Sequence, residues 1–180
     1  PPPTGSVNSS GGTVSRLHFA VVGDTRPATE DDTAGYPTAI ISRVYSDLEA
    51  LSPRPEFAIA TGDYVFATPF RGEAHAQMGL YLGAKAMYSG VTFYAMGNHE
   101  CTGRTSSNCG PGTTDGVTMN YQSFLDDMLS TIHQTQPYYS VRVDATDGSW
   151  TSKIVVASPN AWSTAQSSWL TSALATPTTY

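Results

Sequence analysis

Short apolar segments alternate with longer amphipathic segments along this chain. Three of the apolar segments, within His18–Asp24, Glu56–Asp63 and Val91–Cys101, end in a glycine that is followed at once by Asp or Asn. Their β-branched and aromatic residues are typical of covered strands, and glycine permits a tight turn at a strand end. The pattern therefore predicts three strands that each deliver a polar residue at the carboxyl end.

The segments between and after these strands predict helices and a hairpin. The predicted helices are Pro37–Leu51, Gly72–Tyr88, Tyr121–His133 and Ser163–Ala175, and the predicted hairpin joins Tyr138–Val143 to Lys153–Ser158. The first helix carries an apolar stripe, which comprises Ile40, Val44, Leu48 and Leu51. Strands that alternate with helices indicate an α/β domain.

Length and composition narrow the classes of protein that this chain can belong to. The 180 residues suit one domain, with residues 1–13 as a flexible Pro/Gly/Ser leader and residues 14–180 as the folded part. A net charge of −6 argues against nucleic acid or an anionic membrane as a main partner. No apolar run reaches membrane-spanning length. The polar composition, with only 13% charged residues, favours a secreted or otherwise extracytoplasmic protein.

Two cysteines, Cys101 and Cys109, flank a polar loop of seven residues. A disulfide that closes this loop is the preferred interpretation, and it implies an oxidising compartment. The alternatives are two free thiols or, less favoured because the spacing matches no usual zinc motif, a metal-binding pair.

The polar residues at the three strand ends are expected to lie together. Ligands of open parallel sheets bind at the carboxyl ends of the strands, and oxygens gathered there need cations or hydrogen bonds to compensate them. Each turn alone is an ordinary strand end. All three together, with His99 and Glu100 after Asn98, indicate a functional site.

Gly23-Asp24, Gly62-Asp63 and Gly97-Asn98-His99-Glu100, in this order and at these spacings, resemble the amino-terminal half of the calcineurin-like metallophosphoesterases, which include the purple acid phosphatases. The resemblance covers about Leu17 to Ala175. It implies a phosphoric ester hydrolase with two divalent ions, or one trivalent and one divalent ion, such as zinc, manganese or iron. It also implies half of a two-layer βαβ sandwich, in which helices cover a mixed sheet and the inner face stays uncovered.

The resemblance assigns roles to the residues of these turns. Asp24 would bind one metal, Asp63 would bridge both, and Asn98 would bind the second, while a bridging hydroxide attacks the phosphorus atom of a phosphate ester. His99 would act as a general acid or stabilise charge at the leaving oxygen, although a core histidine is the simpler alternative. Glu100 would orient His99.

Two positions depart from the family pattern. Arg26 stands where the family usually has a ligating histidine, and Phe66 stands where a purple acid phosphatase has a tyrosinate ligand. A tyrosinate-bound ferric centre is therefore not expected. Arg26 is a candidate catalytic residue because its guanidinium suits a phosphate oxygen; the alternative is a salt bridge to the acidic loop Glu30–Asp32.

The histidines that close the metal site in this family come from its carboxyl-terminal half. The remaining histidines here, His18, His75 and His133, are expected to be structural; the alternative for His75, on the second predicted helix, is that it approaches the site. We therefore expect a companion carboxyl-terminal fragment that supplies the missing ligands, as in a nicked enzyme. The alternative function is a non-catalytic relic or binding module on the same scaffold, which the loss of the histidine at Arg26 favours.

Overall fold

The structure, a computed structural model, describes residues 5–180 of the chain. Its strands and helices alternate as an α/β fold requires. In chain order they are β1 (Val7–Asn8), β2 (Gly11–Val14), β3 (Phe19–Val22), α1 (Thr38–Ala50), β4 (Phe57–Ala60), α2 (Glu73–Lys85), β5 (Val91–Tyr94), α3 (Met119–Ser123), β6 (Tyr139–Ala145), β7 (Lys153–Val156) and α4 (Thr164–Ala175). Among the described residues, every helix is too short or too polar to traverse a lipid bilayer.

The three strands that carry the predicted site residues form one parallel sheet in the order β3-β4-β5. Val22, Ala60 and Tyr94 end these strands side by side in the same register. α1 and α2 are the crossover helices between them, which is the usual connection of parallel strands. The three glycine turns therefore leave the sheet at a common edge, as the sequence predicts.

Tyr64, the residue after Asp63, stabilises this edge of the sheet from the protein interior. Its ring is fully buried and packs 4.8 Å from the ring of Tyr81 on α2. Its hydroxyl lies at hydrogen-bond distance from the carbonyls of Ala60 (2.8 Å) and Ala95 (2.9 Å) and shares its one proton between them. Burial raises the pKa of Tyr64 well above its usual range, so the hydroxyl stays a donor. The carboxyl ends of β4 and β5 are thereby joined through one side chain.

A second, mixed sheet has the order β1-β2-β6-β7. β6 and β7 are antiparallel, which confirms the predicted hairpin, and β2 runs parallel to β6. The expected flexible leader, residues 1–13, thus contributes two strands, while residues 1–4 lie outside the described part of the chain. Glycine allows this pairing, because a Cβ on Gly12 would lie 2.0 Å from the carbonyl oxygen of Ser6.

The helix predicted over Tyr121–His133 is divided into three short turns. α3 is followed by a π-helical turn, Phe124–Met128, and a 3₁₀ turn, Leu129–Ile132. The segment still buries its apolar side chains: Phe124, Met128, Leu129 and Ile132 are buried, and Leu125 is partly buried against the core.

α1 has the predicted bounds to within one residue but buries a different face. Ile41 and Tyr45 are buried, whereas Ile40 is 68% and Val44 38% exposed. The Tyr45 hydroxyl is hydrogen-bonded to the Tyr81 hydroxyl at 2.5 Å, so the helix turns its aromatic side toward α2. Of the predicted stripe, only Leu48 packs against the core, while Ile40, Val44 and Leu51 are exposed.

β3 also carries exposed apolar side chains. Phe19 and Val21 lie on the same face of the sheet as Phe57, whose side chain is fully buried. Their exposed fractions are 39% and 61%. The sheet face is thus covered at β4 and open at β3, an edge strand of the sheet.

Candidate functional site

The first two site loops have unusual backbone conformations at the same position. Asp24 and Asp63, the residues after the strand-end glycines, have φ angles of 56° and 57°. Such left-handed conformations are uncommon outside glycine and concentrate at functional sites. The two loops are also bonded together, because Asp24 N–H donates to the Gly62 carbonyl (3.2 Å) and Arg26 N–H donates to the Asp63 carbonyl (2.9 Å).

The second and third loops approach each other through their glycines. A Cβ on Gly62 would lie 2.2 Å from the backbone nitrogen of Gly97, and a Cβ on Gly97 would lie 2.2 Å from Asp63 Oδ1. No side chain fits at either position without displacing the loop. The same Asp63 Oδ1 accepts a hydrogen bond from the backbone N–H of His99 at 3.2 Å. The structure thus brings the Asp63 carboxylate to the start of the third loop.

Glu100 connects these loops from inside the protein. Its fully buried carboxylate accepts hydrogen bonds from the backbone N–H groups of Asp63 (2.9 Å), Tyr64 (2.7 Å) and Gly97 (2.7 Å). Burial raises the pKa of Glu100 to about 7; the backbone donors oppose this shift and the nearby Asp63 charge adds to it. Glu100 was expected to orient His99; this expectation is wrong, because the carboxylate binds the loop backbone instead.

Asn98 has its amide nitrogen occupied within the third loop. Its Nδ2 donates to the carbonyl of Gly103 at 2.6 Å. This bond fixes the orientation of the amide and leaves Oδ1 as the atom that can bind a cation or a donor. The predicted ligand atom, Asn98 Oδ1, is therefore not used in the hydrogen bond that holds the side chain in the loop.

His99 is buried, and its contacts come from several elements. Its ring packs edge-to-face against Phe66 at a centroid distance of 4.9 Å, and its carbonyl accepts from Asn120 Nδ2 at 3.1 Å. Burial lowers the pKa of His99, and Arg26 acts in the same direction, while Asp63 is the strongest opposing charge. The imidazole thus favours its neutral form near neutral pH, in which it carries one N–H donor.

Arg26 lies at the second loop rather than at the acidic loop. Its Nε is 3.9 Å from Asp63 Oδ2, and its guanidinium carbon is 5.1 Å from the centroid of the Phe66 ring. The Nε atom is buried and has no hydrogen-bond partner in residues 5–180. Asp31 instead accepts from Thr68 N–H at 2.8 Å. The alternative of a salt bridge between Arg26 and residues 30–32 is not formed.

The donor set at the strand ends consists of oxygen atoms only. Within residues 5–180, no three His, Cys, Asp or Glu side chains lie close enough together to hold a metal ion. The predicted ligands Asp24, Asp63 and Asn98 offer two carboxylates and one amide, a set that suits hard cations. Three such side chains alone are too few to complete a two-metal site.

Within residues 5–180, none of the other histidines is hydrogen-bonded to these site residues. His75 Nδ1 lies 2.8 Å from Asp127 Oδ2, so its partner belongs to the π-helical turn. His18 lies just before β3 and has a buried Nδ1 without a partner in the described chain, and His133 follows the 3₁₀ turn in a left-handed conformation.

Cys101 and Cys109 lie at disulfide distance, with their Cα atoms 5.6 Å apart and both side chains buried. This finding agrees with the predicted pairing. The loop between them is anchored at both ends, because Thr118 Oγ1 donates to the Cys101 carbonyl (3.0 Å) and Cys109 N–H donates to the Asn160 carbonyl (2.9 Å). The segment directly after Glu100 is thus fixed to the rest of the protein.

Two residues of this site were not found from the sequence. Phe66 was noted only as a missing tyrosine, and Asn120 was not singled out, although it also donates to the Ala67 carbonyl at 2.9 Å. A hydrophobic residue in a loop and a lone Asn carry no sequence signal for such contacts. Comparisons with protein-family models and with curated proteins give no match for this chain.

Proposed function

We propose that this chain forms the amino-terminal part of a metal-dependent phosphoric ester hydrolase of the calcineurin-like type. The observation that carries the proposal is the convergence of three loops at one sheet edge. The backbone of the Asp24 loop is hydrogen-bonded to the Asp63 loop, and the Asp63 carboxylate accepts a hydrogen bond from the His99 loop. Few purely structural reasons exist for two left-handed Asp residues and a buried His to meet there.

In this proposal Asp24, Asp63 and Asn98 Oδ1 would hold the cations, together with ligands from elsewhere. When bound, such cations polarise the phosphoryl oxygens and lower the pKa of bound water to near neutrality. The carboxylate of Asp63 has one oxygen engaged by the His99 N–H, which leaves Oδ2 less constrained. Zinc, manganese and iron all remain candidates for such an oxygen-rich set once further ligands are added.

Arg26 and His99 supply the remaining roles. The guanidinium of Arg26, whose Nε is without a hydrogen-bond partner, binds a non-bridging phosphoryl oxygen and stabilises charge that develops there. His99, neutral near neutral pH, donates a hydrogen bond from its ring N–H to the leaving oxygen and stabilises the charge that develops there. The buried Glu100 keeps the loops in place during this reaction.

A companion segment completes the site in this proposal. Three oxygen ligands are too few for two cations, and none of the other histidines contacts the site residues. The exposed apolar side chains on β3 and α1 are the kind of surface that a second layer of the fold covers. The intact mass of the denatured, unreduced protein tests this point, since a second polypeptide rich in histidine is expected.

The hydrolase proposal is tested by turnover of p-nitrophenyl phosphate and bis-p-nitrophenyl phosphate with added Mn²⁺ or Zn²⁺. Asp63→Ala should lower the rate by at least about 100-fold, because ligand loss removes several kcal/mol of transition-state stabilisation. Asp47→Ala on the exposed face of α1 is the control. An unchanged rate in Asp63→Ala would overturn the proposal. Phosphate binding without turnover in the wild type would favour the alternative of a non-catalytic binding module.

A further inference from the structure

Phe66 lies between the two residues that the proposed function places around the phosphoryl group. The Arg26 guanidinium lies 5.1 Å from the centre of its ring, and the His99 ring lies 4.9 Å away at an angle of 82°. These distances are typical of a cation over an aromatic face and of an edge-to-face ring pair. A single aromatic ring therefore contacts both groups.

The backbone of Phe66 is fixed by a fully buried side chain. Gln77 on α2 accepts a hydrogen bond from Phe66 N–H at 2.8 Å and donates to the Phe66 carbonyl at 3.1 Å. The N–H of Asp31 donates to the same carbonyl at 2.8 Å. The ring is thus attached to the helical core of the domain rather than to a free loop.

Arg26 and His99 have few other contacts that would fix their functional atoms. Arg26 Nε has no hydrogen-bond partner in residues 5–180 and reaches Asp63 only at 3.9 Å. Within residues 5–180, the hydrogen bonds of His99 involve only its backbone. The orientation of its ring therefore depends on packing.

We propose that Phe66 is a positioning residue that holds the Arg26 guanidinium and the His99 imidazole in a fixed relative arrangement. The inference rests on the proposed function, in which both side chains act on one phosphoryl group. Because the ring contacts both, its loss disturbs phosphate binding by Arg26 and hydrogen-bond donation by His99 together. An aromatic replacement keeps both contacts, whereas an aliphatic one of similar volume loses them.

The test compares Phe66→Leu with Phe66→Tyr in the complete protein with Mn²⁺, and Phe70→Leu is the control because Phe70 lies in the same loop and is exposed. Phe66→Leu should lower kcat for p-nitrophenyl phosphate about tenfold and weaken the binding of inorganic phosphate severalfold. Phe66→Tyr should keep both kcat and the affinity for phosphate within about threefold of the wild-type values. Equal effects of the Leu and Tyr variants, or a change in thermal stability alone, would overturn the inference.

Two readouts that do not depend on turnover separate this inference from the proposed function. A wild type without metal-dependent turnover overturns the proposed function. In that event, weaker phosphate binding in Phe66→Leu but not in Phe66→Tyr still supports the positioning of Arg26. The ring-proton NMR shifts of His99, compared at one fixed pH, should move in Phe66→Leu and not in Phe70→Leu. Unmoved His99 resonances contradict the packing role itself.

Discussion

At the scale of single residues, the buried carboxylate of Glu100 determines how the second and third loops meet. One oxygen accepts from Asp63 and Gly97, and the other accepts from Tyr64. Each of these N–H groups would otherwise be a backbone donor without a partner. Glu100 therefore acts on the geometry of the site through the backbone.

We expect Glu100→Ala to destabilise the protein by about 3 kcal/mol, because three backbone donors lose their acceptor in a buried place. Urea unfolding measures this free energy. Asp47→Ala, which removes only an exposed i,i+4 ion pair with Arg43, should cost about 0.5 kcal/mol or less. Equal costs for the two substitutions would show that the loop contacts of Glu100 contribute no stability.

The raised pKa of Glu100 predicts a pH dependence in protein that is kept free of metal by a chelator. The folded state holds the proton more tightly, since the pKa rises from 4.5 in the reference state to about 7. This contribution to stability is complete below pH 4.5 and is lost as the pH rises through about 7, a loss of roughly 3 kcal/mol. Glu100→Gln should lack this loss. The same pH profile in both proteins would contradict the assignment.

At the scale of elements, the site depends on the close contact between the turns that follow β4 and β5. Gly97→Ala should destabilise the protein by about 2 kcal/mol and reduce any turnover strongly, because the new methyl group would overlap Asp63 Oδ1. Gly79→Ala in the middle of α2 is the matched control. No atom lies within 4 Å of a Cβ there, so helix propensity should stabilise the protein by about 0.5–1 kcal/mol. The explanation would be contradicted if unfolding curves showed that both substitutions change the free energy of unfolding in the same direction.

The elements themselves could be predicted from the sequence, but several of their contacts could not. Periodicity and strand-end glycines located α1, α2 and the site strands to within a few residues. The buried face of α1 was missed because Ile40 and Ile41 are equally apolar, and the choice depends on the Tyr45–Tyr81 hydrogen bond between two helices. The role of Glu100 was missed for the same kind of reason, since two of its hydrogen-bond donors, the N–H groups of Asp63 and Tyr64, come from a loop that is distant in sequence.

At the scale of the whole molecule, the exposed apolar side chains of α1 and β3 stand out. Ile40 on α1 and Val21 on β3 are both more than half exposed. The proposed companion segment would bury such side chains and would also bring ligands to the strand ends. One companion segment would then both cover the apolar surface and complete the set of metal ligands.

If a companion segment covers α1, Ile40→Glu should destabilise the complete protein by about 2 kcal/mol, because a charge enters an apolar contact. Ala76→Glu on the exposed side of α2 is the control, and it should change the stability by less than about 0.5 kcal/mol. The measurement is urea unfolding of both variants. An Ile40→Glu variant as stable as the control would mean that this face of α1 is in contact with water.

The central claim, that the three loops hold catalytic cations, is tested most directly by X-ray diffraction from crystals of the complete protein grown with Mn²⁺. An anomalous difference map should show two peaks about 3.5–4 Å apart, with Asp63 between them and with Asp24 and Asn98 each beside one. The absence of peaks at these side chains, or peaks only elsewhere on the surface, would contradict the account.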